Sequence, residues 1–386
     1  MSTVRIPKAW SQEAHKLFLN GKVPEAANLA LKEANSIPQR LVQAAYYCGS
    51  MNAYGHALML FKSYLKHDPK DIETIKNMGV CYRKLKQYPE AVRCCEQVLA
   101  INPDNALALD DMADVLGKLG DMEGARKAGT KALLLKDSEA MRHAPHSTLP
   151  TGEDGQKLLL AVNAKKKVCA FSLFGSNSRY LRGALYNVIV GRELFPEWIM
   201  RFYVDGTVPE EFKDALRSLD AEVLEQKDGQ PRDMKLCWRF FVASDPDVGR
   251  FLIRDCDSGF SLRESIVVDE WMESGKLFHV IRDWHTHTDL ILAGLWGGVA
   301  GILPDMRGML DNFFAANKLI TPNIDQLFLT RCVWPVIRES CFIHDRLFDA
   351  FSPRRPPMRH FRIRNDHIGA DRYVLDREWQ EKCLAP

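Results

Sequence analysis

The sequence predicts two architectures in one chain. Residues 1–139 read as an all-helical repeat solenoid, 140–165 as a linker, and 166–386 as an α/β domain with a mostly parallel sheet. Three observations carry this. Small residues and prolines recur at a fixed step through the first third of the chain. Beyond residue 165, β-rich apolar runs alternate with helical periodicity, the pattern of a sheet covered by helices on both faces. One of those runs, Arg250–Ile253, stops abruptly at Arg254-Asp255-Cys256-Asp257-Ser258, which sets two carboxylates one residue apart where the chain leaves a sheet.

The repeats come first. Ala91 and Ala125 are 34 residues apart, as are Pro69 and Pro103, and Gly79 falls twelve before Ala91. The clearest copy runs from Ile72 to Asn105, and Ala106–Ser138 follows in register with Ala113, Gly120 and Ala125. Upstream, Ala57, Phe61 and Pro69 mark another copy, and Trp10, Ala14, Gly21, Ala26 and Pro38 mark a first, offset by 31 rather than 34. This resembles the tetratricopeptide repeat, in which small residues let paired helices approach and stacked pairs bury a core that no single repeat could. Four helix pairs are expected. Such a solenoid offers a concave face to a partner protein or acceptor, and serves equally as a rigid arm or a surface for self-association.

Composition narrows the function. A chain of 386 residues has length for two or three domains, and 46% hydrophobic with 26% charged residues is ordinary for a soluble globular protein. A net charge of +2 gives no reason to expect nucleic acid or an acidic membrane surface as partner. Ten cysteines without a Cys-x-x-Cys, mostly inside apolar runs, read as reduced buried thiols. Met1–Lys8 lacks an apolar signal-like core, and no apolar run is long enough for a membrane span. The expected location is cytoplasmic.

The linker holds a Pro-, Ser- and Gly-rich stretch at His143–Gln156, an apolar segment at Lys157–Val162 and Lys165-Lys166-Lys167. Strands are then expected at Val168–Phe174, Trp198–Val204, Ala221–Leu224, Arg250–Ile253 and Phe278–Ile281. Helices are expected at Arg179–Leu194, Pro209–Leu219 and Met234–Ala243, with another opened by the capping box Ser261-Leu262-Arg263-Glu264. Asp325-Gln326 opens a later apolar helix, Cys341–Asp345 is a short strand and Met358–Ile363 an edge strand. No Gly-x-Gly-x-x-Gly follows the first strand and no P-loop exists, which disfavours a dinucleotide dehydrogenase or a P-loop NTPase.

In an open α/β sheet, ligands bind outside the carboxyl ends of the strands. Two carboxylates there suit a hard divalent cation, which is held by one or two carboxylates plus substrate phosphates. Asp245-Pro246-Asp247 has the same spacing but precedes its strand, so only Asp255 and Asp257 are placed to meet a ligand; the bland alternative is a solvated turn with Asp255 paired to Arg254.

The ordered series Trp238-Arg239-Phe240, Arg254-Asp255-Cys256-Asp257-Ser258, Arg263-Glu264, Glu270-Trp271, Phe278–Asp283 and Gly294-Leu295-Trp296-Gly297-Gly298 resembles the core of bacterial and viral glycosyltransferases of the Rossmann-like GT-A fold. The resemblance implies a Mn²⁺ or Mg²⁺ on Asp255 and Asp257 that neutralises the diphosphate of a nucleotide-sugar donor. Glycogenin-like members add a late histidine as third ligand; His344 is the match, with Asp345 beside it. By the same resemblance Phe171 and Ser172, at the end of the first strand, lie where the nucleoside is received. Arg239 and Arg254 pair with phosphate or with the metal carboxylates, while Trp296 and Gly297 sit where the donor sugar approaches the backbone. Three have a structural alternative: a buried strand for Phe171, an ion pair for Arg254, a helix-packing glycine for Gly297. Asp325 reads as a helix cap and as the general base facing the acceptor, and His285 and His287 as contacts to that acceptor.

The expected activity is transfer of a sugar from a nucleotide diphosphate to a glycan or protein acceptor, with the repeats docking the acceptor, a partner or another subunit. The competing readings are an interaction scaffold with a degenerate transferase-like domain, and a metal-dependent phosphoryl or nucleotidyl transferase.

Overall fold

The computed structural model describes residues 9–142, 149–150, 152–317, 323–357 and 367–371. The chain divides into two compact units, Thr3–Leu135 and one built on Lys136–Pro386. The expected edge strand Met358–Ile363 lies outside the described residues.

The first unit is built of antiparallel helix pairs: α1 (Gln12–Leu19) with α2 (Val23–Glu33), α3 (Arg40–Ser50) with α4 (Tyr54–Tyr64), α5 (Ile72–Lys84) with α6 (Tyr88–Ile101), and α7 (Ala106–Leu119) with α8 (Met122–Met141), which runs past the unit boundary. Local chemistry starts and stops them. Asp71 and Asn105 accept from the backbone N–H three residues on, capping α5 and α7, and Gly120 at φ 86° ends α7 in the left-handed conformation. Ala26, Ala57, Ala91 and Ala125 are all essentially without exposed surface, so the recurrent alanines are the contact points of each pair. Gly79 works with them, since a Cβ there would stand 3.4 Å from Cys94 Cβ. The shortened step upstream is visible as trimmed helices: α3 and α4 have 11 residues each, where α5 and α6 have 13 and 14.

The second unit opens with α9 (Gly152–Asn163), where the sequence suggested a linker with an apolar segment. There follow β1 (Lys166–Leu173), α10 (Ser178–Leu194), β2 (Trp198–Val204), α11 (Glu210–Ser218), β3 (Glu222–Glu225) and α12 (Arg232–Cys237). A 3₁₀ stretch at Trp238–Ser244 replaces the second half of the helix expected at Met234–Ala243. Next come β4 (Val248–Arg254), α13 (Leu262–Glu273), β5 (Phe278–Arg282), β6 (Leu295–Val299), α14 (Met306–Ala316), α15 (Ile324–Phe328) and β7 (Cys341–Asp345).

The seven strands form one mixed sheet in the order β3-β2-β1-β4-β6-β5-β7. All neighbouring pairs are parallel except those of β6, which runs antiparallel to both β4 and β5. The stretch Trp296-Gly297-Gly298, expected to let a donor sugar approach the backbone, lies within this strand. Gly297 and Gly298 are there for packing: a Cβ on Gly297 would lie 2.5 Å from Phe251 O, and one on Gly298 would overlap the Phe278 ring. From β1 the chain winds outward through β2 and β3, then returns to β4 on β1's other side. That reversal opens a crevice beyond the carboxyl ends of β1 and β4, where open α/β sheets bind ligands.

Candidate functional site

β4 is buried along its whole length and ends in the tight turn Asp255–Ser258, closed by Ser258 N–H donating to Asp255 O at 3.2 Å. Cys256, at the centre of the turn, is buried and donates its Sγ–H to Ser172 O at 3.3 Å, tying the end of β4 to the end of β1. Asn187 of α10 clamps the same turn: its Nδ2 donates to Cys256 O and its Oδ1 accepts from Phe260 N–H, both at 3.1 Å. Gly183 lets α10 lie this close, because a Cβ there would overlap Cys256 O. With Cys256 turned inward, the carboxylates on either side of it face the crevice.

Asp255 pairs with Arg239, whose other terminal nitrogen reaches Asp325 Oδ2 at 3.3 Å. Arg239 is held by its own backbone N–H, which donates to Ser172 Oγ at 3.0 Å, while that hydroxyl donates to Leu236 O at 3.3 Å. Burial lifts the Asp325 carboxyl above its usual range, with Arg239 pulling against the shift and Asp255 adding to it. Asp257 pairs with Arg179 of α10 at 2.6 Å, and the same guanidinium pairs with Asp371. The Asp257 carboxyl is pushed up to about 6, first by burial and then by the charge of Asp255, with Arg179 opposing. Gly294 lies against Asp255 so closely that any side chain there would displace the carboxylate.

Two cavities meet at this point. One, about 330 Å³, lies toward β1 and is lined by Ser172, Phe174, Tyr180 and Asp257. The other, about 420 Å³, lies toward β6 and is lined by His287, Asp289, Gly294 and Asp325. Arg232, Leu236, Arg239 and Asp255 line both.

The structure thus brings Ser172, Arg239, Asp255, Asp257 and Asp325 together, with His287 on the wall of the larger cavity, and it does not bring Phe171, Arg254, Trp296, Gly297 or His344 to them. Phe171 points to the opposite face of β1 from Ser172 and stacks on Phe202 at 4.7 Å in the core, as strand alternation requires. Arg254 is buried against Glu264 and lines neither cavity, which is the ion-pair alternative. Trp296 packs on Phe251 and Phe240 at 5.1 and 5.9 Å, and Gly297 is closed over by β4. His344 is buried on β7, with His279 Nε2 at 2.8 Å and Glu270 Oε2 at 3.0 Å, and Asp345 pairs with Arg282 at 2.7 Å. Because β6 and β5 separate β7 from β4, three strand spacings, roughly 14 Å, lie between them. A strand ending in His-Asp looks like a metal ligand in sequence. Only the sheet order shows it to be at the wrong place.

Four residues that the sequence reading did not single out for the site help build it: Arg179, Gly183, Asn187 and Asp371. Asp371 forms an isolated antiparallel bridge with Ser258, which lays residues 367–371 beside the carboxylate turn. No motif marks it.

Whether a divalent cation fits can be judged from the donor set. Among the described residues no group of three or more histidine, cysteine, aspartate or glutamate side chains is arranged to hold a metal. Asp255 and Asp257 supply two hard oxygen donors, as suits a cation whose remaining ligands are water and phosphate. Burial first, and then the charge of Asp255, raise the Asp257 carboxyl, and Arg179 only partly offsets them.

Comparison with known proteins gives the following. Residues 72–105 match the tetratricopeptide repeat family model. An auxiliary subunit of the N-terminal acetyltransferase A complex of Arabidopsis thaliana is 26% identical over 117 residues, 30% of this chain; the match spans only 13% of that subunit's length. Among solved structures, MamA of Desulfovibrio magneticus is 24% identical with a TM-score of 0.31, covering 33% of this chain and 73% of its own. A mutant O-GlcNAc transferase of Thermobaculum terrenum is 17% identical with a TM-score of 0.33, covering 62% of this chain and 44% of its own. Among the described residues no helix is long and apolar enough to cross a membrane. The protein carries tetratricopeptide repeats in its N-terminal helical unit, ahead of a unit built on a mixed sheet.

Proposed function

We propose that the protein is a metal-dependent glycosyltransferase of GT-A type that moves a sugar from a nucleotide diphosphate to a glycan or protein acceptor. The observation that carries this reading is the placement of Asp255 and Asp257. Both stand at the carboxyl end of β4, beside β1, where the strand order reverses, and they open onto two joined cavities.

In this reading the nucleoside occupies the cavity beside Ser172, Phe174 and Tyr180, where a ring can stack and backbone groups can pair. Asp255 and Asp257 would hold Mn²⁺ or Mg²⁺, which would supply positive charge against the donor's diphosphate as it departs. Arg239 fixes the Asp255 and Asp325 carboxylates relative to one another. Asp325, with a carboxyl raised by burial, takes the proton from the attacking acceptor hydroxyl, since a general base works best with its pKa moved toward the operating pH. The repeats dock the acceptor, a partner protein or another subunit.

The test is thermal stabilisation by a panel of nucleoside diphosphates and nucleotide sugars, with and without Mn²⁺. A ligand at a hundred times its Kd contributes about 2.7 kcal/mol, which raises Tm by roughly 5–10 °C in a domain of this size. A Mn²⁺-dependent shift with one nucleotide is expected, abolished in Asp257→Asn. In Asp325→Asn the shift should persist while turnover falls by two orders of magnitude or more, by the usual scale of general-base catalysis. If no nucleotide shifts the wild type, the reading fails and the interaction-scaffold alternative stands. Release of phosphate or pyrophosphate in place of free or transferred sugar would assign the site to a phosphoryl or nucleotidyl transferase.

A further inference from the structure

His287 lies on the segment between β5 and β6 and lines the larger cavity with Asp255, Asp289 and Asp325. Its Nδ1 accepts a hydrogen bond from the backbone N–H of Asp283 at 3.0 Å. A backbone N–H cannot accept, so Nδ1 carries no proton in this arrangement. The groups around the ring also favour its neutral form. Burial dominates, and His367, His285 and Arg282 add repulsion toward a second proton. His367 packs edge-on at 4.9 Å, itself stacked on Trp284 at 5.0 Å. A neutral imidazole whose Nδ1 accepts must carry its hydrogen on Nε2. His287 is therefore fixed as a neutral donor at the wall of the cavity.

The cavity's other polar groups say what such a donor is for. Its lining carries the carboxylates of Asp255, Asp289 and Asp325 and the guanidiniums of Arg232 and Arg239, so opposite charges nearly balance. An anion would meet three carboxylates and an apolar group would leave them dry. A neutral group that both donates and accepts, at several points and in fixed directions, satisfies this wall, and that is a hydroxyl-bearing ring. Nor do His285, His287 and His367 form a metal site: His287 spends Nδ1 on Asp283, and no such cluster exists among the described residues.

We propose that this cavity holds the sugar carried by the nucleotide, and that His287 reads one of its hydroxyls by donating from Nε2. The inference rests on the glycosyltransferase reading and assigns the two cavities to the two halves of the donor. A site built to pair with a substrate hydroxyl rejects the analogue that lacks it, because its polar groups are then left unpaired.

The test uses the full-length protein with Mn²⁺ and the nucleotide sugar that gives the largest Tm shift. Kd is measured for that compound, for each of its monodeoxy-sugar analogues and for the matching nucleoside diphosphate, on wild type and His287→Phe. One deoxy analogue is expected to bind wild type about tenfold or more weakly than the parent, while His287→Phe binds both alike and keeps its affinity for the nucleoside diphosphate. ¹⁵N NMR of the wild type, independent of any variant, should show His287 with protonated Nε2, bare Nδ1 and no titration from pH 8 to 5.5. Wild type that binds the nucleoside diphosphate as tightly as every sugar-bearing form overturns the assignment while leaving a nucleotide site. So does a titrating His287, or a variant equally weakened for the nucleoside diphosphate. Wild type that binds no nucleotide overturns the glycosyltransferase reading, and this inference with it.

Discussion

Arg254 and Asp255 are neighbours in sequence and belong to different parts of the molecule. As the last residue of a strand buried on both faces, Arg254 turns away from the crevice and meets Glu264 of α13, with both side chains almost wholly out of water. A guanidinium next to a metal-type motif looks like a phosphate ligand, and in one dimension nothing tells the two roles apart. The pair predicts a specific outcome. Glu264→Gln leaves a buried cation without its partner and should cost about 3–5 kcal/mol in urea unfolding, whereas Arg254→Met combined with Glu264→Met should recover most of the loss. The double variant should bind nucleotide as the wild type does; loss of binding with stability intact would return Arg254 to the site. Arg239 illustrates the opposite outcome. It has no neighbouring charge in sequence to explain it, and folding sets it between Asp255 and Asp325.

At the scale of elements, the repeat helices are legible because their contacts are local. Ala91 meets its partner helix within one helical hairpin, so spacing in the sequence reports spacing in the core. Sheet order is different. β6 lies between β4 and β5, whose sequence positions both precede it, and its pairing partners are set by which faces remain unburied rather than by any local signal. Its glycines are the trace of that decision, because β4 and the Phe278 ring leave no room for a Cβ. Gly297→Ala and Gly298→Ala should therefore each destabilise by about 1–3 kcal/mol, the usual cost of overpacking, read as a fall in the urea midpoint without a change in slope. Neutral substitutions would mean that β6 yields more easily than its packing implies. Apolar spacing predicts α10, yet its part in the site rests on Gly183, Asn187 and Arg179, which that spacing does not mark.

For the molecule as a whole, the histidines set a pH dependence. His279, His287 and His344 are buried and held neutral, all with pKa values lowered chiefly by burial. In the unfolded chain each takes up a proton as pH falls through about 6.5, and in the folded state it does not. The unfolded state then binds more protons, so stability falls as pH drops into and below that range. Asp257 acts in the other direction, since a carboxyl raised to about 6 in the folded state gains protons there first, but mainly below that value. Tm is therefore expected to fall between pH 7.5 and 6.0, and less steeply in His279→Gln. A Tm that is flat or rises over this interval would show that these rings protonate within the fold.

The sequence by itself determined the repeat solenoid, the alternation of strand and helix, and the pair of carboxylates at the end of β4, because each is a matter of near neighbours: helical period, strand period and the turn after a buried run. Only the tertiary structure decided which distant residues share the crevice. It set Ser172, Arg239 and Asp325 with Asp255, sent His344 three strands away, brought Asp371 beside Ser258 and put His287 on the cavity wall. The physical reason is that strand order and the burial of each face are settled by the competition of all strands and helices for one core, and no single segment carries that outcome in its own residues.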